Sequence, residues 1–389
     1  MKLPPGSSLG LLNDVGYYAA GPVASIDSPN PNEQSWSFGI QHELPSNILF
    51  DASYVGKKGT HLYFGGATQL DYLGPQIEHY SASQISALNT YVNNPFYGII
   101  KDPLSGLSAQ TYPASQFLLP FPQFTGVGME DPPWANSIYN ALQLKAEKRF
   151  SHGLQFLVTY VWSKSLDDSS TTGDAVSWLG SNALATHLQD PNNRRLERGL
   201  STFDIPSVVQ FSYTYELPIG KGKPLLGTAN PVVNAILGGW QTNGIWRFTD
   251  GRPMFPSLSG GQSLPTYGAQ QPNITGELKC ASSNILNQYF ANPDVMVVPP
   301  PFTVGDSPRS IGSCRQPGTA NVNLALFKEF LIPKLREGTR LQLRLETFNA
   351  FNHPQFNGPN TTVNGGSFGV ITSTANGPRE VQAALKFYW

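Results

Sequence analysis

The stretch SIYNALQLKAEKRFSHGLQFLVTYVWS, residues 137–163, decides how the rest of the chain is read. Ile138, Leu142, Leu144, Ala146 and Phe150 oppose Gln143, Lys145, Glu147 and Arg149. After Ser151-His152-Gly153 the apolar set resumes at Leu154, Phe156, Val158, Tyr160 and Trp162, against Gln155, Thr159 and Ser163. A period of two sends successive side chains to opposite faces of a strand, whereas a helix needs a period of about 3.6. Gly153 can take the positive φ that a tight hairpin turn requires. The stretch predicts two antiparallel strands, each with one apolar and one polar face.

The alternation recurs along the chain. Trp36, Phe38, Ile40 and Leu44 share one face of a strand over 35–44, and Ile48, Phe50, Ala52 and Tyr54 repeat the pattern after the turn at 45–47. Further strands are expected at 204–217, 239–250, 320–330, 339–351 and 380–389. These strands, about nine of them, exceed the roughly five or six residues of an ordinary globular strand. They are long enough to cross a bilayer at a tilt of about 45°. The connections at 45–47, 151–153, 218–238 and 331–338 are short to medium. Those at 57–136, 167–203, 251–319 and 352–379 are long and rich in Gly, Pro, Asn and Ser. Short turns on one side and long loops on the other is the plan of an antiparallel transmembrane β-barrel.

Composition agrees. Charged residues make up 13% of the chain, about half the usual share, which leaves room for uncharged polar strand faces. A net charge of −1 supplies no field to attract nucleic acid. No run of 18 apolar residues occurs, so no transmembrane helix is expected. Residues 1–18 carry one lysine and no apolar core, and do not read as a signal peptide. Cys280 and Cys314, the only cysteines, fall in one long loop; a disulfide and two free thiols both stay open.

A soluble β-sandwich would also alternate, but three details favour the membrane. The charges on the apolar register are Lys148, Lys164, Lys328 and His42, all near strand ends. A cation at the bilayer midplane costs about 2–4 kcal/mol and almost nothing at the interface, where lysine can snorkel. The aromatics form two girdles, with Trp36, Trp162, Trp246 and Phe351 near the long-loop ends and Phe150, Trp240, Phe330 and Trp389 near the short-turn ends. Counting strands from residue 35 also sends the C-terminus to the short-turn side, the periplasmic one.

Little enzyme chemistry is legible. The histidines at 42, 61, 79, 152, 187 and 353 lack metal-ligand spacing, and Glu78-His79 is an isolated loop pair. GKGKP at 220–224 lacks the phosphate-loop spacing and reads as a basic periplasmic turn. Asp167-Asp168 reads as the opening of a Ser/Thr-rich loop, and Asn273-Ile274-Thr275 matches a glycosylation acceptor that means little in a bacterial outer membrane. Arg194, Arg195, Glu197 and Arg198 form the one polar cluster of interest. They could meet an anionic ligand at the mouth or lumen; an ion-pair network steadying the loop before 204–217 is preferred.

Several segments resemble the Oar-like TonB-dependent receptors of Gram-negative outer membranes. PNEQSWSFGIQHELPSNILFDASYVGKKGTHL (31–62) is similar to a hairpin of that family. NRRLERGLSTFDIPSVVQFSYTYELPIGKGK (193–223) and RLQLRLETFNAFNHPQFNGP (340–359) are similar to two further segments, ETFNAFNHPQF being the most specific. The closing VQAALKFYW resembles the signal read by the barrel-assembly machinery, with Val381, Ala383, Leu385, Phe387 and Trp389 toward lipid. The resemblance implies that residues 1–389 are the C-terminal part of a receptor barrel in the cell outer membrane, without signal peptide, plug or TonB box. Transporter barrels of this class have about 22 strands, so an open sheet with two unpaired edges is expected. The implied partners are outer-membrane lipid, the assembly machinery, and TonB if an N-terminal part is supplied. No cofactor, nucleic acid or catalytic role is implied. The alternatives are a structural or adhesive outer-membrane protein without transport, and a secreted soluble β-sandwich that binds carbohydrate.

Overall fold

The computed structural model describes residues 15–22, 29–64, 67–73, 77, 79–130, 132–170, 189–190, 193–259, 270–300, 303–332 and 339–389. Nine long strands dominate: β1 (Asn32–Leu44), β2 (Ile48–Leu62), β3 (Ala135–Ser151), β4 (Leu154–Asp167), β5 (Ser207–Glu216), β6 (Trp240–Thr249), β7 (Thr319–Leu331), β8 (Arg340–Phe348) and β9 (Glu380–Tyr388). They form one sheet in chain order, each antiparallel to the next. Gly199–Leu200 adds a short pairing at the far end of β4.

The register keeps the apolar sets on one face throughout. One row of facing residues runs Leu44, Ile48, Lys148, Phe156, Tyr213, Gly244, Leu324, Thr347, Val381 and so crosses all nine strands. It starts beside the short turn that closes β1 and ends beside the long loop that opens β9. The strands are therefore progressively staggered, as in a tilted barrel wall. A slip of one residue anywhere would reverse every later side chain. Aromatic rings fill glycine positions on this face. A Cβ on Gly56 would lie 2.3 Å from the Trp36 ring, and one on Gly244 would lie 2.3 Å from the Tyr213 ring.

The tight turns follow from residues that tolerate positive φ. Ser46 and Asn47 adopt 69° and 59°, and His152 and Gly153 adopt 52° and 78°. Two successive positive values match the right-handed twist of the flanking strands.

Three expectations need correction. β8 stops at Phe348 rather than 351, because Asn349 and Asn352 take φ of 50° and 53° and turn the chain. β2 runs on to Leu62, which adds Lys58 to the cations on the apolar register, again near a strand end. The soluble sandwich fails, because among the described residues no second sheet covers the apolar face. Phe38 and Ile40 at one edge of the apolar face are 69% and 62% exposed and Leu385 and Trp389 at the other are 64% and 82% exposed, large apolar side chains that a soluble protein rarely leaves uncovered in such number. Residues 1–14, Glu78, His187 and the 333–338 portion of the turn expected at 331–338 lie outside the described residues.

β1 and β9 end the sheet, and neither pairs with another described strand on its outer edge. The wall is open, as the strand count implied.

Candidate functional site

The second face of the wall is polar and laced with side-chain contacts. Lys57 pairs with Glu33 at 2.8 Å and Lys145 with Glu147 at 2.7 Å. The Arg344 guanidinium lies 4.5 Å over the buried Phe327 ring, and that of Arg340 4.5 Å over Tyr388. The two ion pairs are exposed and contribute little stability, but they keep the face wettable.

At the long-loop end of β6–β9 this face opens into a cleft of about 450 Å³, lined by Arg247, Asn321, Asn323, Asn349, Asn376 and Glu380 among others. The segment ETFNAFNHPQF builds its wall. Asn349, turned by its positive φ, accepts from the His353 N–H at 2.9 Å and donates to the Gly377 carbonyl at 3.3 Å. Its own N–H donates to Asn323 Oδ1 at 3.0 Å. Gln355 substitutes for a neighbouring strand. Its Oε1 accepts from the Ala320 N–H at 2.6 Å and its Nε2 donates to the Ala320 carbonyl at 2.8 Å. Asn376 Oδ1 accepts from the Gln355 N–H at 2.8 Å. The amides thus fold the loop after β8 back onto the mouth. They leave an exposed guanidinium and an exposed carboxylate in a cleft otherwise rich in amides. That chemistry suits a polar, hydrogen-bonding ligand. A second hollow of about 520 Å³ takes Tyr54, Leu142 and Trp162 from the apolar register, which sets it against the other face of the wall.

Above the mouth the long loops build cores of their own. Met254, Leu278, Tyr289, Phe290, Met296, Ile311, Cys314 and Ile371 join the loops 251–318 and 349–379 in one buried cluster. A disulfide joins buried Cys314 to Cys280, which is exposed at the cluster's edge and lies 34 residues away in sequence. Closing a loop of that length stabilises by about 3–4 kcal/mol in the chain-entropy view. Burial pushes the Tyr289 hydroxyl up to about 12, and it donates to the Arg315 carbonyl at 2.6 Å. A second cluster, Leu73, Ile77, Leu88 and Leu119 from the first long loop, packs against Val304 of the third.

Two buried ion pairs fasten these loops to the wall. Arg309 pairs with Asp167 at the end of β4, both almost wholly buried. Arg315 pairs with Asp204 at 2.7 Å. Asp204 also accepts from the Ser165 N–H at 2.6 Å, so a single carboxylate ties loop to strand. Asp167 was expected merely to open a loop, and it proves an anchor. Its neighbour Asp168 accepts from the Asn136 N–H. The signal available in sequence was weak, since Arg309 lies 142 residues from Asp167.

Among the described residues, Arg194, Arg195 and Arg198 make no ion pair with Glu197. Arg194, Arg195 and Arg198 are exposed, and the Arg194 guanidinium lies 4.7 Å over the Trp134 ring. Glu197 turns inward and is 1% exposed. Its carboxylate accepts from the Gln189 N–H at 2.9 Å, while Gln189 Oε1 accepts from Gln271 and Gly305, joining the second and third long loops. Burial raises the Glu197 pKa above the ordinary carboxylate value, against the Gln189 hydrogen bond and the nearby Arg309. Between the unfolded and folded pKa values the closed loops hold a proton that the open ones have released. Their stability is therefore full at low pH and declines as pH rises through the folded pKa. Hydrogen exchange at 189–204, corrected for its intrinsic pH dependence, should show more opening as pH rises from the ordinary carboxylate range. Glu197→Gln should flatten that slope, and an unchanged slope would acquit Glu197.

Of the girdle residues, Trp36, Phe150, Trp162, Phe351 and Trp389 are exposed on the apolar side or at its rim. Phe351, though beyond β8, still packs 5.9 Å from Trp246. Among the described residues no group of His, Cys, Asp and Glu is arranged to hold a metal.

A family model for an outer membrane beta barrel domain matches residues 14–382. Among solved structures the chain is similar to the outer membrane transporter YddB from Escherichia coli, at 10% identity and a TM-score of 0.39, covering 95% of this chain and 33% of that one. It is also similar to P. aeruginosa FpvA, solved with bound pyoverdine and iron, at 10% identity and a TM-score of 0.33, covering 91% and 26%. The chain thus spans a third or less of the structures it matches. No curated protein matches it in sequence.

Proposed function

The chain belongs to the outer membrane beta barrel domain family, and on that premise we propose that it is the C-terminal part of an Oar-like TonB-dependent receptor barrel. Its place is the outer membrane. The segments at 31–62, 193–223 and 340–359 support the receptor type by their resemblance. The observation that carries the reading is the open wall. An apolar face runs through nine strands, yet β1 and β9 each leave an outer edge that no other described strand pairs. In lipid each unpaired backbone group costs several kcal/mol, so the wall requires strand neighbours on both sides. In this proposal further strands, a plug and a TonB box come from a longer protein. The last strand, with Val381, Ala383, Leu385, Phe387 and Trp389, presents the assembly signal.

The function proposed is uptake of a scarce or bulky polar substrate, coupled through TonB and without catalysis. Substrate contacts come from the cleft at Arg247, Asn321, Asn323 and Glu380. Recovering the native protein from outer membranes tests this. An intact mass well above 42.3 kDa and binding to the purified periplasmic domain of TonB are expected. A native species of 42.3 kDa that closes alone and ignores TonB would sink the receptor reading. It would favour a surface protein that displays the disulfide-clamped loops to an external partner.

A further inference from the structure

The connection 218–238, between β5 and β6, lies on the short-turn side and carries Lys221 and Lys223. The structure adds a helix there, α1 (Pro231–Leu237), capped by Asn230, whose Oδ1 accepts from the Val233 N–H at 2.8 Å. Seven residues are too few for a helix to hold itself in water, so its contacts decide where it lies. Within the connection the Lys221 N–H donates to Asn234 Oδ1 at 2.6 Å, and the contacts to the wall come from two side chains of the apolar face. Trp240 Nε1 donates to the Ile236 carbonyl at 3.0 Å. Lys328 Nζ donates to the same carbonyl at 3.3 Å and to that of Gly238. A cation among the last carbonyls of a helix is favourable. Trp240 and Lys328 face each other across β6 and β7 in the apolar register. Lys328 Nζ sits 5.1 Å from both the Trp240 and the Phe330 rings. The helix end is thus tied to the lipid side of the wall, and not to its polar side.

Val232, Ala235 and Ile236 recur at the spacing of one helical stripe. That stripe is open, with Val232 69% and Ile236 62% exposed, and Leu225, Leu226 and Leu237 are exposed beside it. We propose that α1 is an interfacial anchor in the inner leaflet of the outer membrane. Val232, Ile236 and Leu237 enter the acyl-chain boundary, and the exposed Lys221 meets a phospholipid phosphate, while Lys223 is held by Glu216 at 3.2 Å. Lipid is the occupant because the apolar stripe continues the lipid-facing surface through Trp240 and Phe330, and the exposed Lys221 matches an anionic surface. The inference rests on the outer-membrane placement and not on the transport reading.

The test uses the protein in its native outer-membrane vesicles. Both native cysteines are held in the disulfide, so Val232→Cys and Ile236→Cys can each be spin-labelled alone. Leu385→Cys serves as the lipid control and Arg198→Cys as the water control. The ratio of collisions with oxygen to collisions with a water-soluble nickel chelate should be several-fold higher at 232 and 236 than at 198. It should approach the value at 385. Ratios like that at 198 would overturn the anchor. So would protection from both reagents, which would mean a protein partner. In either case a lipid-like reading at 385 would leave the membrane placement standing.

Discussion

Phe211→Lys is expected to destabilise the protein in lipid vesicles by about 2–4 kcal/mol, the cost of a cation near the bilayer midplane. Phe211 lies midway along β5 on the apolar face, opposite Val158 and Trp246. Its ring stacks on Tyr213 at 5.4 Å and approaches Phe156 at 6.4 Å, and the variant also forfeits those contacts. The native lysines of the same face, Lys58, Lys148, Lys164 and Lys328, avoid this cost by sitting near strand ends. Ser212→Lys, one residue along and on the polar face, should cost far less. Urea unfolding followed by tryptophan fluorescence compares the two. Equal costs, or a larger one at 212, would mean that the faces are wrongly assigned.

Arg309→Leu is expected to loosen the loop assembly by about 3–5 kcal/mol, because it strands the Asp167 carboxylate in a buried site. The loss should be local. Amide exchange should accelerate at 189–204 and 303–315 while the centres of β3–β6 stay protected. Arg309→Leu combined with Asp167→Leu should recover most of the loss, since the cost lies in the unpaired charge rather than in the missing attraction. A double variant as loose as the single one would assign the effect to packing around Phe255, over which the guanidinium lies at 5.8 Å.

The strands and their faces were legible because the information is local. The hairpin at 137–163 shows both strands and the turn within 27 residues, since alternation depends only on neighbours along the chain. The alternation predicts β8 three residues beyond its end because Asn349 through Phe351 keep an apolar-looking rhythm, and only the positive φ at Asn349 breaks the strand. The charges of 194–198 adjoin in sequence but part in space. In the fold Glu197 is taken inward by the N–H of Gln189, while its arginine neighbours stay outside.

The loop assembly was illegible for the opposite reason. Asp167 finds Arg309 across 142 residues and Asp204 finds Arg315 across 111, at positions with no periodic signature. Gln355 was visible as part of a specific segment, but its pairing with both backbone groups of Ala320 was not. By itself the sequence determined a wall: which residues face lipid, where strands turn, and which side carries long loops. Those follow from a period of two, and that period is written between adjacent residues. The tertiary structure decided what stands over the wall and beside it, namely the buried ion pairs, the disulfide-bound loop core and the helix pinned by Trp240 and Lys328. Each of these joins groups distant along the chain. Only a folded backbone sets how such groups meet, and burial then makes their pairing count.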